Sequence, residues 1–457
     1  MMELYTIPVE DKFILYRPLR RLALVGNQAL VDLALALTRR RDAGAGGGAW
    51  VHRSAASVEA ADLMAENGFL DPDPPAPLPP GAAYRPTTAV LLLSSRCNLR
   101  CTYCYANGGE APVQDLSLEV ARPVIDEVCR CAAEQGQSRF ELTFHGGGEP
   151  LQAWDTMQVA VAYARGLDLP CHVSMVSNGV CTAAQRAWLL DNLDSLSISF
   201  DGRPETQDRQ RPFAAGQGSS GAVLRTLAAL DRAGFSYGIR MTATAPWRGQ
   251  LAGDVRFICE ETGCQVIQVE PAFNTRRGQH RGPALEESHA FVDGFMEAFE
   301  IASTAGRKLA YSGARPWALT QAFCTAPYGA LVVNPAGSLV ACYEVADSNH
   351  PLAAVSTLGR VQDGRVVHDE QARRALWSYL EEKRAGCRDC FCYWHCAGDC
   401  YTRSSAATAG DPDSPSPRCL MNREITARIL LWYIVQSDGV WRGQAEQRQV
   451  AQLMRQF

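Results

Sequence analysis

Between residues 87 and 308 strand-like and helix-like segments alternate, and this alternation constrains the fold more than any other feature of the chain. Short runs of strand character at 89–93, 140–144, 172–176, 196–200, 237–243 and 266–270 are separated by amphipathic stretches. The segment 220–233, for example, carries Val223, Leu227 and Leu230 at i, i+4 and i+7, one face of a helix. Strands joined by crossover helices lie parallel in one sheet, with binding groups at the C-terminal ends of the strands. Six such units predict an α/β fold. Periodicity alone leaves an open sheet, a partial barrel and a full barrel all standing. An eight-fold barrel would need two more units, and none is evident before residue 305.

Two other regions flank this domain. The run DPDPPAPLPP over 71–80 cannot form a helix or an inner strand and predicts a stiff linker. It separates a module over 1–75 from the strand–helix domain over 87–308, with the linker proper at 76–86. The module reads as strands at 13–16 and 22–25 followed by helices at 28–40 and 57–68. From 309 to 425 cysteine, glycine, proline and aspartate become frequent, which predicts a loop-rich region stapled by metal. A helical tail is expected over 426–457.

Composition narrows the class. The net charge of −5 offers no basic field for nucleic acid or an anionic membrane. No run of 18 apolar residues could span a bilayer, and the first residues lack the apolar core of a secretory signal. The expected location is therefore the cytoplasm, where 17 cysteines read as metal ligands rather than disulfides.

The first strand leads into Cys97-Asn-Leu-Arg-Cys101-Thr-Tyr-Cys104, a C-x3-C-x2-C spacing. Three thiolates on one tight loop suit a cubic iron–sulfur cluster and leave its fourth iron open; structural zinc with a distant fourth ligand is the alternative. The second strand runs into His145-Gly146-Gly147-Gly148-Glu149-Pro150. The glycines allow close backbone approach, and Glu149 presents a carboxylate to a cationic group at the same edge. His145 reads as a packed or tautomer-fixed histidine.

Together these motifs resemble the radical S-adenosylmethionine (SAM) superfamily. The resemblance implies a partial (β/α)6 TIM-like barrel and a [4Fe–4S] cluster on Cys97, Cys101 and Cys104, whose open iron takes SAM. It places Tyr103 beside the adenine and Gly147, Gly148 and Glu149 at the methionine ammonium. Ser177 and Asn178 after the third strand, and Ser199 in a Ser-Phe-Asp201-Gly stretch after the fourth, are further cofactor contacts. Arg240 could reach the methionine carboxylate or could serve a barrel ion pair. The family's usual histidine–aspartate pair here reads Gln207-Asp208.

The later cysteines, Cys324, Cys342, Cys387, Cys390, Cys396, Cys400 and Cys419, resemble the SPASM extension of that superfamily. The resemblance implies two auxiliary [4Fe–4S] clusters, making three in all. One uses Cys387, Cys390, Cys396 and Cys419; the other uses Cys324, Cys342 and Cys400, its fourth site open or filled by a residue such as Cys392. The module over 1–75 is similar to a winged-helix peptide-recognition unit that adds a leader peptide to its sheet edge; a structural cap is the other reading.

The implied activity is hydrogen abstraction from a ribosomally made precursor peptide, followed by an oxidative crosslink such as a cyclophane or thioether. A low-potential donor, flavodoxin or ferredoxin, would supply electrons. Two other readings stand: a maturase of a protein substrate, of sulfatase-maturing or quinoprotein-crosslinking type, and a non-catalytic iron–sulfur or zinc interaction protein. No acid or base is singled out, although Asp201, Asp208 and Glu270 face the right edge.

Overall fold

The computed structural model describes residues 2–42, 54–81, 83–110, 112–273, 277, 284–404 and 416–443. The N-terminal module opens with β1 (Tyr5–Val9), β2 (Lys12–Arg17) and β3 (Leu22–Gly26), each antiparallel to the next. Two helices follow, α1 (Gln28–Asp42) and α2 (Ala55–Glu66). Leu15, Leu24, Val31, Ala34, Met64 and Phe69 bury a small core between sheet and helices.

The central domain then repeats strand and helix. Its units are β4 (Thr88–Leu91) and α3 (Leu118–Glu134), β5 (Phe140–Phe144) and α4 (Trp154–Arg165), and β6 (Cys171–Ser177) and α5 (Ala183–Asn192). Next come β7 (Ser195–Ser199) with α6 (Pro204–Gln210) and α7 (Ser220–Arg232), then β8 (Tyr237–Ala243) with α8 (Gln250–Glu261). The sixth unit is β9 (Val266–Pro271) with α9 (Leu285–Thr304). All six strands pair in parallel, in chain order. α3 shows why the helices sit where they do: Ala121, Val124, Ile125, Val128 and Ala132 form one buried stripe at helical spacing against the sheet.

Two short strands extend this parallel run. β10 (Lys308–Ala310) joins β9, and β11 (Ala330–Val333) joins β4. Three and four residues carry too little pattern to be read from sequence. Antiparallel β12 (Ser338–Val340), β13 (Thr357–Gln362) and β14 (Arg365–His368) complete an 11-stranded sheet with β10 and β14 at its ends. The barrel is thus partial, and the cysteine-rich region continues its sheet.

The helical tail expected over 426–457 is corrected. The helix Pro417–Gln436 is followed by a turn through Asp438 and Gly439, both at positive φ, and the chain returns as β15 (Val440–Arg442). Residues 444–457 lie outside the described residues. β15 pairs with β3, Trp441 opposite Ala23, so the N-terminal sheet is built from both ends of the sequence. Trp441 is 1% exposed and stacks on Tyr433 at 5.9 Å.

This closure bears on strand addition. The β3 edge is already occupied by the three-residue β15, which with β1 now forms the sheet's outer edges, and β1 contains Pro8, which has no N–H to donate. The proline run also does more than link. Arg17, fully buried, donates to the Asp71 carbonyl at 2.7 Å and pairs with Asp73 at 2.5 Å. Gln321 holds the Pro77 carbonyl, and Tyr84 donates to the Ala330 carbonyl at 2.6 Å. The segment is strapped to the body at both ends. Among the described residues no helix is long and apolar enough to cross a membrane.

Removing the Trp441 anchor should therefore loosen the opposite end of the chain. Trp441→Ala is expected to cost about 3–5 kcal/mol, with hydrogen-exchange protection lost at Leu22–Gly26 although those residues are unchanged.

Candidate active site

The chain beyond β4 folds across the C-terminal edge of the sheet and carries Cys97, Cys101 and Cys104. Cys97 lies within electrostatic reach of both other thiols, and Cys101 within reach of Cys104. Burial pushes Cys97 up to about 12 and Cys101 up to about 11. Metal binding must therefore displace protons from these thiols. Donors already face the sulfurs: Gly108 N–H to Cys104 Sγ at 3.4 Å, and Asn178 Nδ2 at 3.9 Å from Cys97 Sγ. Hydrogen bonds of this kind orient thiolate ligands and tune what they hold.

The glycine turn after β5 is welded to this loop. Gly148 N–H donates to the Ser94 carbonyl at 2.7 Å, and Glu149 N–H to the Arg96 carbonyl at 2.8 Å. A Cβ at Gly148 would stand 2.0 Å from the Arg96 oxygen, so no side chain fits there. Gly147 takes φ +77. The turn buries Glu149 to 2% exposure. Its carboxylate accepts from Ser177 Oγ at 2.9 Å, Asn178 N–H at 2.7 Å and Leu151 N–H at 3.3 Å. Burial raises its pKa to about 7 against the pull of these bonds, and its charge reaches Cys97. Cys97, Glu149, Ser177 and Asn178 thus converge from three adjacent strands.

Asp201, one residue past Phe200 at the end of β7, organises the other side. Its carboxylate accepts from Arg211 Nε at 2.9 Å and Nη2 at 3.0 Å, Gln210 Nε2 at 2.9 Å and Thr242 N–H at 2.9 Å. The Tyr103 hydroxyl donates to it as well, and Arg211 stacks over the Tyr103 ring at 5.2 Å. The backbones follow suit: Arg100 N–H bonds Pro212 O at 2.7 Å, and Thr102 N–H bonds Gln210 O at 2.9 Å. Five donors exhaust the roughly four acceptor sites of a carboxylate. Asp201 is an anchor for the cysteine loop, not a free acid or base. Asp208 is likewise spent on the start of α7, accepting from Ser220 N–H at 2.7 Å and Oγ at 3.0 Å. Arg211 and Gln210 carried no motif, and only the fold reveals them.

Arg240 is in register with Ser199 of β7. Its Nη1 is 3.3 Å from His145 Nε2, and the His145 ring packs on Tyr343 at 4.7 Å. Burial and the neighbouring cation push His145 down to about 3, so the imidazole is neutral. Glu270, at the end of β9, accepts from Ser312 N–H at 2.9 Å, Arg403 at 3.2 Å and Arg418 at 3.4 Å. The two arginines hold its pKa below the usual carboxylate range despite burial, which makes it a poor proton acceptor.

The later cysteines separate into two sets. Cys342 feels the charges of Cys400 and Cys324, and a cavity of about 130 Å³ is lined by all three. Cys387 and Cys396 each feel Cys390 and Cys419. Cys392 is buried against Cys390 and Cys396 and donates to Cys390, so it belongs beside the second set and does not complete the first. Among the described residues no three His, Cys, Asp or Glu side chains are gathered tightly enough for a single metal ion. The all-thiol donor sets are those that iron–sulfur clusters use.

Residues 91–245 match the family model of the radical SAM superfamily. The Fe-coproporphyrin III synthase of Methanosarcina barkeri is 29% identical over 210 residues, 45% of this chain and 49% of that protein. The sporulation killing factor maturation protein SkfB of Bacillus subtilis is 27% identical over 206 residues, 45% of this chain and 47% of that protein. The chain spans about half the length of the curated relatives it matches. In fold it is similar to anSMEcpe with bound AdoMet, at TM-score 0.60 and 17% identity over 79% of this chain and 98% of the other. Streptococcus suis SuiB bound to its precursor peptide SuiA covers 92% of this chain and 98% of its own at TM-score 0.51 and 12% identity.

Two outcomes follow from the geometry. Asp201→Asn keeps the shape but leaves Arg211 buried beside a neutral group, at a cost of about 3–5 kcal/mol; iron retained on the Cys97 loop after anaerobic reconstitution should fall. For Glu149, the folded pKa of about 7 exceeds the ordinary 4.5, so the folded chain holds this proton more tightly than the unfolded one. Its contribution to stability is then lost as pH rises from 4.5 through about 7. In the metal-free chain Glu149→Gln should remove about 3 kcal/mol of that decline, read as the difference between urea unfolding of the two proteins at pH 5 and pH 8.

Proposed function

We propose that this chain, whose residues 91–245 match a radical SAM domain, is a maturase that installs an oxidative crosslink in a ribosomally made peptide. The observation that carries the reading is the convergence of Cys97, Cys101, Cys104 and buried Glu149 at one edge of the parallel sheet. The three thiolates would hold a [4Fe–4S] cluster. When bound, the cluster and SAM supply a 5′-deoxyadenosyl radical able to take hydrogen from an unactivated carbon.

The chain's own residues bind and orient. Glu149, fixed by Ser177, Asn178 and Leu151, has acceptor capacity left for a cationic ammonium. Gly147 and Gly148 let the turn pack directly on the Ser94–Arg96 backbone, which sets Glu149 beside the cysteine loop. Tyr103 closes the wall under Arg211, with its hydroxyl committed to Asp201. Ser199 and Arg240 contribute polar groups from β7 and β8.

The two later cysteine sets would hold auxiliary [4Fe–4S] clusters in a SPASM-type extension, with flavodoxin or ferredoxin as donor. The match to a killing-factor maturation protein and the likeness to a fold seen with a precursor peptide favour a peptide substrate. Its reacting residue would enter between the mouth of the barrel and the Cys342 loop. A cyclophane or thioether is the bond proposed.

Reconstituted under anaerobic conditions and reduced with dithionite, the protein should convert SAM to 5′-deoxyadenosine and methionine. Cys97→Ala, Cys101→Ala and Cys104→Ala should each fall to the protein-free background by liquid chromatography. Turnover by all three variants at the normal rate would refute the site.

A further inference from the structure

Two arginines join the barrel mouth to the first auxiliary thiol set, and neither was signalled by any motif. Arg403 grips Glu344 Oε1 with Nε at 3.0 Å and Nη2 at 2.9 Å, and reaches Glu270 Oε2 with Nη1 at 3.2 Å. Arg418, with its side chain 2% exposed, reaches Glu270 Oε2 at 3.4 Å, Asp399 Oδ1 at 2.7 Å and Ser312 Oγ at 3.0 Å. Both guanidinium groups sit over the Phe273 ring, at 5.4 and 4.9 Å.

The ends of this network are chemically distinct. Glu270 belongs to the barrel, at the strand edge where Arg240 and His145 stand, and its charge reaches Arg240. Glu344 belongs to the cysteine region, and its backbone N–H donates to Cys342 Sγ at 3.5 Å. The charge of Arg403 reaches Cys400 and Cys324, and that of Arg418 reaches Cys400. One side chain, Arg403, therefore spans from the last barrel strand to the loops of all three thiols.

We propose that Arg403 is a positioning residue that clamps the first auxiliary site to the barrel mouth and whose cation holds up the reduction potential of a cluster bound at Cys324, Cys342 and Cys400. The proposal rests on the reading that these cysteines hold a cluster. Reduction adds an electron to an already anionic group, so a buried cation beside it stabilises the reduced form and an anion disfavours it. Arg403 lies between two carboxylates, and its removal exposes the cluster to both. A purely structural arginine would not give the two charge changes opposite signs.

The test uses the full chain, reconstituted anaerobically, with potentiometric titration followed by electron paramagnetic resonance. The signal absent from Cys324→Ala identifies the first auxiliary cluster. Arg403→Met should move its midpoint potential down, Glu270→Gln should move it up, and Arg403→Lys should stay nearer wild type than Arg403→Met. The signal of the Cys97 cluster should keep its potential throughout, as an internal control. If Arg403→Met fails to retain the cluster, the sign of the Glu270→Gln shift decides. Unmoved potentials, or shifts of one sign in both variants, overturn the clamp alone. A wild-type chain with no signal removed by Cys324→Ala overturns the auxiliary-cluster reading and the clamp with it.

Discussion

The buried Asp201–Arg211 pair is the joint on which the cysteine loop hangs. A carboxylate at 0% exposure must be fully compensated, and here the compensation comes from three segments at once: Gln210 and Arg211 at the C-terminal end of α6, Thr242 on β8 and Tyr103 in the loop. Breaking any one contact leaves charge or polarity stranded in the interior. The loop is therefore tied to the sheet by the same requirement that keeps Asp201 satisfied. Backbone pairing of 98–102 with 210–214 adds direction to that tie. The three thiols inherit their placement from it.

The same device recurs at the other side of the mouth. Glu270 lies at the end of β9 as Asp201 follows β7; Asp201 draws Arg211 from ten residues on, and Glu270 draws Arg403 and Arg418 from far along the sequence. One carboxylate organises the first cysteine loop and the other organises the later one. The same edge carries Glu149, which retains capacity for a ligand, and the His145–Arg240 contact, which places a neutral imidazole against a cation. A parallel sheet makes this economical, since every strand delivers its end to one edge.

Much of this was legible in the residues. The six central strands, the C-x3-C-x2-C loop and the glycine turn with Glu149 carry local signals strong enough to read, and the structure brings the last two into backbone contact. In space Cys342 lies within reach of Cys324 and Cys400, and Cys387 and Cys396 lie within reach of Cys390 and Cys419. What could not be read depends on long-range packing. Three- and four-residue strands such as β10 and β11 show no period. The strand at Val440–Arg442 is a strand only because β3 offers an edge and Trp441 has a pocket to fill. Arg211 and Arg418 look like ordinary surface charges until the fold buries them, and Arg403 until the fold sets it, half-buried, between Glu270 and Glu344. For Asp201 and Glu270 the sequence leaves a reactive and a structural carboxylate both standing, because it shows their position at strand ends but not the number of donors waiting there.

The central claim is that the Cys97 loop holds a cluster with one iron open to SAM beside Glu149. Electron paramagnetic resonance of the reduced protein, with Cys324 and Cys387 replaced by alanine to silence the auxiliary sites, reads this directly. The account predicts a reduced [4Fe–4S] signal whose g-values change when SAM is added, and no change in the same background carrying Glu149→Ala. A spectrum indifferent to SAM in the protein with Glu149 intact would contradict it.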